Sequence, residues 1–262
     1  MSVRVTRRGE VALLTLDRPD RMNMFNAQLL ADLATALQTL AADPRVGVLV
    51  IAGAGRSFCA GSDPEWLSAS VQQDYPARMA EAQQVAEVLD ALWNFPRPTL
   101  AAVQGAAVDL GAALVACCDL AIASETARLG FAEVKLGMVP ALVARAVVPK
   151  IGVGHARALM ISGERFSAER AFEIGLVHAV CGEDELLPTA DTLAARLLTS
   201  APGAVLSTRR AIDAAWDLDR AEARQYLIEA EAAARGTPAA AEGIAALREK
   251  RRPHWVRERS DQ

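Results

Sequence analysis

Three short segments carry residue types whose order could do chemistry. The first is Ala52-Gly53-Ala54-Gly55-Arg56-Ser57-Phe58-Cys59-Ala60-Gly61-Ser62-Asp63. Ala60 and Gly61 let the backbone approach a ligand closely. An N–H exposed there could donate to an oxygen that gains charge in a reaction. Read alone, the segment also fits a structural loop. It is not a dinucleotide fingerprint, because Phe58 stands where the third glycine would be, and no Gly-Lys-Ser/Thr follows to make a phosphate loop.

The second segment is Gln104-Gly105-Ala106-Ala107-Val108-Asp109-Leu110-Gly111-Ala112-Ala113. It runs from an apolar stretch through small residues into a helix start. A helix N-terminus presents free N–H groups and a positive dipole end, again suited to a developing oxyanion. Two such loops in one chain point to a common pocket. The third segment, Ala132-Glu133-Val134-Lys135-Leu136-Gly137-Met138-Val139-Pro140, sets Glu133 among apolar residues. Such a carboxylate is either held in a salt bridge, with Lys135 or Arg145, or has a raised pKa suited to proton transfer.

The elements around these segments can be read from periodicity. Val3 to Thr6 and Val11 to Leu16 read as strands joined by a tight turn at Arg8-Gly9-Glu10. Asn26 suits the N-cap of a helix with Leu29, Leu30, Leu33, Leu37 and Leu40 on one face, and Asp43-Pro44 stops it. Val46 to Ala52 and Thr99 to Val103 are apolar throughout, as strands buried on both faces are. The spacing predicts a helix from about Tyr75 to Trp93, a short buried helix from Gly111 to Cys118, and a third buried strand over Leu120 to Ala123. Strands alternating with helices indicate an α/β architecture. After about Pro188 strand-like runs give way to alanine-rich amphipathic helices, broken at Ala201-Pro202-Gly203 and Gly236-Thr237-Pro238. This divides the chain into an α/β core over 1–188 and a helical region over 189–262.

The 262 residues are 52% apolar, enough for a sizeable core, and the net charge of −4 argues against a dedicated nucleic-acid binder. No apolar run reaches the roughly eighteen residues of a membrane span, and the start at Met1-Ser2-Val3-Arg4-Val5 lacks the apolar stretch of a signal peptide. Four scattered cysteines (Cys59, Cys117, Cys118, Cys181) and three histidines (His155, His178, His254) form no metal-type spacing. They fit reduced thiols in a cytoplasmic protein.

Taken together the segments resemble the enoyl-CoA hydratase/isomerase (crotonase) family. The resemblance runs through Leu16-Asp17-Arg18-Pro19, Asn23-Met24-Phe25-Asn26, Phe58 to Asp63, Pro98 to Gly105, Cys118-Asp119-Leu120-Ala121-Ile122-Ala123 and Phe131 to Gly137. It continues through Ala168-Glu169-Arg170-Ala171, Gly175-Leu176-Val177 and Lys250-Arg251-Arg252-Pro253. Each motif is weak alone; their order is specific. Within the family, Trp66, the Ala-Cys-Cys-Asp run and the ending Lys250 to Trp255 look most like methylglutaconyl-CoA hydratases.

The resemblance implies a spiral of repeated ββα units with a helical C-terminal region that assembles trimers or trimer pairs. It implies an acyl-CoA substrate, no separate cofactor, no metal and no nucleic-acid or membrane partner. It implies an oxyanion hole from two backbone N–H groups, by position those of Ala60 and Leu110, with Arg18, Gly61, Ser62 and Asp63 also binding the substrate. Glu133 matches the second of two catalytic glutamates, while Ala113 stands at the first. Asp109-Leu110-Gly111 replaces a common Gly-Gly-Gly. Asp109 then either takes over part of the missing carboxylate's work or caps the helix after it, and Glu65 is another candidate helper. Arg18, Lys250, Arg251 and Arg252 are candidates for the CoA phosphates, the last three being equally readable as a solvated helix end. Hydration of a 2-enoyl-CoA is the leading expectation. Double-bond isomerisation, other thioester chemistry and an inactive acyl-CoA binder are the alternatives.

Overall fold

The computed structural model describes residues 1–256. Strands β1 (Val3–Arg8) and β2 (Val11–Leu16) form an antiparallel hairpin turning at Gly9, whose φ of +57° suits glycine. Helix α1 (Ala27–Ala42) follows, and the Asn26 side chain accepts from the Leu29 N–H as the expected N-cap. Strand β3 (Val48–Gly53) leads to α2 (Pro64–Val71) and α3 (Tyr75–Trp93). Strands β4 (Thr99–Val103) and β5 (Ala106–Val108) lead into α4 (Leu110–Cys117); β6 (Leu120–Ser124) and β7 (Arg128–Gly130) lead to α5 (Ala141–Ser162). Strand β8 (Arg165–Ser167), α6 (Ala168–Glu173) and β9 (Ala179–Cys181) close the strand-bearing part.

The strands form two sheets, ordered β1-β2-β3-β4-β6-β9 and β5-β7-β8. Beyond the β1–β2 hairpin the larger sheet is parallel. In the middle of the chain the pairs β4–β5 and β6–β7 each give one strand to each sheet before a helix, α4 and α5. A bridge from Cys59 to Ala107 gives even the first loop a place beside β5. This matches the spiral of repeated ββα units that the resemblance implies.

The apolar strands bury opposite faces in two cores. Leu49, Ile51, Ala101, Val103 and Ala121 face α1, α3, α4 and α5. Val48, Val50, Leu100, Ala102 and Ile122 face Leu186, Ala190 and Ala194 of α7 (Leu186–Leu197). The change of tone near residue 188 therefore falls inside a helix that lies under the sheet. Helices α8 (Pro202–Asp217), α9 (Arg220–Arg235) and α10 (Pro238–Glu249) extend beyond it. Arg209 of α8 clamps them to the sheet through Asp119 (Nε to Oδ1, 2.8 Å) and the Arg97 carbonyl (2.9 Å). Among the described residues no helix is long and apolar enough to cross a membrane.

Candidate active site

The first loop is held from three sides. Gln104 Nε2 donates to the Gly53 and Gly55 carbonyls at 2.6 and 3.0 Å. The buried Asn23 side chain donates to the Ala54 and Ser57 carbonyls at 2.9 and 2.7 Å. Arg18 donates to Asp63 Oδ2 at 3.1 Å and to the Met24 carbonyl, and Asp63 Oδ1 accepts from the Glu65 N–H to start α2. Residues 60–63 then run alongside residues 22–25. The Ala60 N–H donates to the Met22 carbonyl at 3.0 Å, the Phe25 N–H to the Gly61 carbonyl at 2.8 Å, and the Asp63 N–H to the Phe25 carbonyl at 2.8 Å. In the isolated bridge between Phe25 and Ser62 the flanking Gly61 carbonyl and Asp63 N–H make the bonds, so the Ser62 N–H is not used and has no protein partner among the described residues.

This changes one sequence expectation. Ala60 is in the loop, but its N–H is already spent on Met22. Between the engaged N–H groups of Ala60 and Asp63, those of Gly61 and Ser62 have no partner among the described residues.

The second donor sits where β5 turns into α4. Leu110 is the first residue of the helix, so its N–H has no partner within it. Asp109 makes the turn at φ +52° and ψ −114°, backbone that glycine adopts freely and that costs another residue about 1–3 kcal/mol. The two loops touch. A Cβ on Gly111 would come within 2.3 Å of the Cys59 carbonyl oxygen, and one on Gly61 within 3.2 Å of Asp109 Oδ2. Only hydrogen at both positions lets the backbones approach this closely.

Strand register brings in the third segment. Parallel pairing sets Val108 against Gly130, so the chain leaves β5 through Asp109 and β7 through Phe131 side by side. The Asp109 N–H donates to the Gly130 carbonyl at 2.9 Å, and Asp109 Oδ1 accepts from the Ala132 N–H at 2.6 Å. Glu133 then opens a 3-10 turn, Glu133–Leu136. Its Oε2 is buried with no hydrogen-bond partner. Burial, and secondarily the Asp109 charge, push the Glu133 carboxyl from an ordinary 4.5 up to about 7.

Neither salt bridge considered from the sequence forms. Arg145 pairs with Asp90, and the Lys135 side chain lies against Gly163. Helix capping by Asp109 is also absent: its side chain makes no bond to α4 and reaches Ala132 instead. Ala113, one turn into α4, is fully buried. Glu65 is turned to solvent, its side chain 79% exposed and 3.5 Å from Arg21. Burial pushes the Cys59 and Cys117 thiols up to about 12, which removes them as nucleophiles near neutral pH.

A backbone cradle of two converging loops beside one poised carboxyl is an arrangement for holding a carbonyl oxygen while a proton moves. The sequence profile of the enoyl-CoA hydratase/isomerase family matches residues 6–258. The chain belongs to the enoyl-CoA hydratase/isomerase family. It is 33% identical over 248 residues to a putative enoyl-CoA hydratase of Thermus thermophilus, covering 95% of this chain and 98% of that protein. It is also 33% identical over 256 residues to the 2,3-dehydroadipyl-CoA hydratase of Escherichia coli, covering 96% and 97% of the two chains. Its structure matches that of an enoyl-CoA hydratase from Shewanella pealeana with a TM-score of 0.93 at 30% identity, over 97% of this chain and 96% of the other.

In this hydratase/isomerase, two of the four cationic candidates for binding CoA, Arg18 and Arg251, are paired within the chain. Arg18 is committed to Asp63 and Met24. Arg251 bonds Glu242 at 2.6 and 2.9 Å and Glu249 at 2.6 Å, and Lys250 terminates α10 in a left-handed conformation. A cavity of about 650 Å³ lies between α3, α5 and α8, lined by Leu89, Trp93, Leu142, Ala146, Arg209 and Trp216 among others. It meets α4 at Cys117 and Cys118, the end opposite Leu110, roughly 12 Å along the helix. Its lining contains none of Ser62, Leu110 and Glu133. Nothing in the sequence singled out Ser62 over Ala60. The signal is the pairing of residues 60–63 with 22–25, which only the fold displays.

Proposed function

We propose that this enzyme adds water across the 2,3-double bond of an acyl-CoA thioester. The observation that carries the proposal is the buried, unpaired Glu133 carboxyl with a pKa of about 7, next to two converging turns with unspent N–H groups. The Ser62 and Leu110 N–H groups hold the thioester oxygen. Glu133 as carboxylate takes a proton from water while the water oxygen bonds to C3. The π electrons shift toward the thioester oxygen, where the two donors stabilise the enolate. Glu133 then gives the proton to C2 as the carbonyl re-forms, so one molecule of water has been added. A group that titrates near neutrality is matched to both halves of this cycle.

Ala113 supports a second reading. With one carboxyl at the site, Glu133 can take a proton from C2 of a 3-enoyl-CoA and return it to C4, which moves the double bond and needs no water. The names of the relatives favour hydration. They include a crotonyl-CoA hydratase from Syntrophomonas wolfei and the dehydroadipyl-CoA enzyme. The resemblance to methylglutaconyl-CoA hydratases adds a branched, carboxylated acyl group to the candidates. Arg18 contributes by fixing Asp63 and its loop. The proposal places the enzyme in the cytoplasm as a homotrimer or trimer pair, whose formation would cover apolar residues such as Ile228, Ile244 and Leu247 on α9 and α10.

The test follows the conjugated enoyl absorbance with crotonyl-CoA, 3-methylglutaconyl-CoA and 2,3-dehydroadipyl-CoA, and its appearance with a 3-enoyl-CoA. Glu133→Gln is expected to lower kcat/KM at least about 100-fold on whichever thioester turns over. Turnover within a few-fold of the parent on every accepted thioester would remove Glu133 from the mechanism. Gain of absorbance from the 3-enoyl substrate, with none lost from the 2-enoyl ones, would establish isomerisation instead.

A further inference from the structure

Asp109 departs from the glycine common at its position, and its geometry gives that departure a use. It is 9% exposed and held at a positive φ by the Asp109 N–H to Gly130 bond (2.9 Å) and the Ala113 N–H to Asp109 carbonyl bond (2.9 Å). In that backbone conformation the side chain leaves its own helix and crosses to the turn that carries Glu133. The turn begins at Ala132 without a capping side chain of its own. Its first donor, the Ala132 N–H, bonds to Asp109 Oδ1 at 2.6 Å, and the next N–H, that of Glu133, also favours the ionised Asp109 carboxyl. A carboxylate at the start of a helical turn satisfies orphan donors and fixes where the turn begins.

We propose that Asp109 is a positioning residue for Glu133: from across the site it caps the turn that presents Glu133, and its carboxylate sets a negative charge beside the Glu133 carboxyl. The inference rests on the proposed role of Glu133. The surrounding charges agree with it. Burial raises the Asp109 carboxyl above its ordinary pKa, and the Ala132 and Glu133 N–H groups and Arg165 on β8 oppose it in favour of the ionised form. The Cys59 thiol adjoins Asp109 from the first loop. Lys135, on the same turn as Glu133, lies against Gly163 and brings no compensating charge. Removing the Asp109 charge therefore leaves burial alone to raise Glu133, and its pKa falls.

The experiment compares the whole enzyme with Asp109→Asn and Asp109→Gly. The Glu133 titration is read from the carboxyl 13C NMR signal that is missing in Glu133→Gln, so no turnover is needed. Asn keeps an acceptor for Ala132 and loses the charge. It is expected to lower the Glu133 midpoint by more than about half a pH unit, to move the acidic limb of kcat/KM the same way, and to keep kcat within a few-fold. Gly suits the backbone and loses both cap and charge. It is expected to lower kcat about tenfold with KM within threefold and Tm not reduced. A Glu133 titration that overlays the parent in Asp109→Asn overturns the inference, and so does parental kcat in Asp109→Gly. If Glu133→Gln itself stays active, the proposed function fails while the NMR titration still decides the Asp109–Glu133 coupling.

Discussion

The first loop and the Glu133 turn differ in how they use hydrogen bonds. In the loop the N–H groups of Phe58, Cys59, Ala60 and Asp63 all have carbonyl partners, and those of Gly61 and Ser62 between them are left free among the described residues. In the turn, the reactive side chain has a buried oxygen with no partner, and its opening donors depend on a residue from another element. One region achieves rigidity by saturation and exposes a donor by geometry. The other keeps a group destabilised, which is how a carboxyl comes to titrate near neutrality. The backbone region can lose side chains without loss of function, since an N–H survives most substitutions. The carboxyl region, under the proposed function, has nothing to spare, because Glu133 is the one carboxyl assigned to proton transfer.

The comparison breaks most sharply at Gly111. Any Cβ there would sit 2.3 Å from the Cys59 carbonyl oxygen, a backbone atom that cannot rotate aside. Gly111→Val must push α4 off the first loop and separate the Ser62 and Leu110 donors. Loss of one oxyanion donor typically costs 10²–10³ in kcat, so kcat is expected to fall at least about 100-fold while the Glu133 NMR titration stays near its parental midpoint. A Gly111→Val enzyme with parental kcat would show that the contact between the loops is not what aligns the donors.

A middle-sized effect tests whether the missing acid can be put back. Ala113 has no exposed surface, and α4 is buried along its full length. Ala113→Glu therefore introduces a carboxyl into filled space. The expected cost is about 2 kcal/mol or more, a fall in Tm of about 4–8 °C, with no gain in hydration. A hydration rate raised tenfold without loss of Tm would mean that the space beside Ala113 belongs to the site.

How much of this was legible in the sequence follows the same divide. Tyr75–Trp93 and Thr99–Val103 lie where periodicity and apolar runs set them, and Asn26 caps α1 as its residue type suggests. Those features are local. Strands β5, β7 and β8 have three residues each, too few for a period to show, yet their register sets Asp109 beside Ala132. The donor at Ser62 instead of Ala60 depends on residues 22–25, nearly forty positions earlier in the chain. The neighbourhood of Glu133 was open between a salt bridge and a raised pKa, because Lys135 and Arg145 are near it in sequence and directed elsewhere in space. Glutamate types and small-residue loops announce a chemistry; long-range pairing decides which atoms perform it.

The smallest effect separates the two regions by stability. Glu133 has a higher pKa folded, about 7, than the 4.5 of an ordinary glutamate, so folding binds a proton. Stability from this group is greatest below about pH 4.5 and falls as pH rises toward 7, beyond which the ionised carboxyl imposes a constant cost. Glu133→Gln removes an ionisation and not a bond, since Oε2 has no partner to lose. Discounted for partial solvent access, the gain is about 1–2 kcal/mol at pH 8, a rise in Tm of a few degrees, and close to zero at pH 4.5. Substitutions in the saturated loop have no such sign. Asn23→Ala removes two donors of 2.9 and 2.7 Å and destabilises at every pH. Calorimetry of Glu133→Gln across this range checks the point. A Tm that drops at pH 8 would mean that the Glu133 carboxylate is held by a partner, and the destabilised carboxyl on which the contrast depends would be gone.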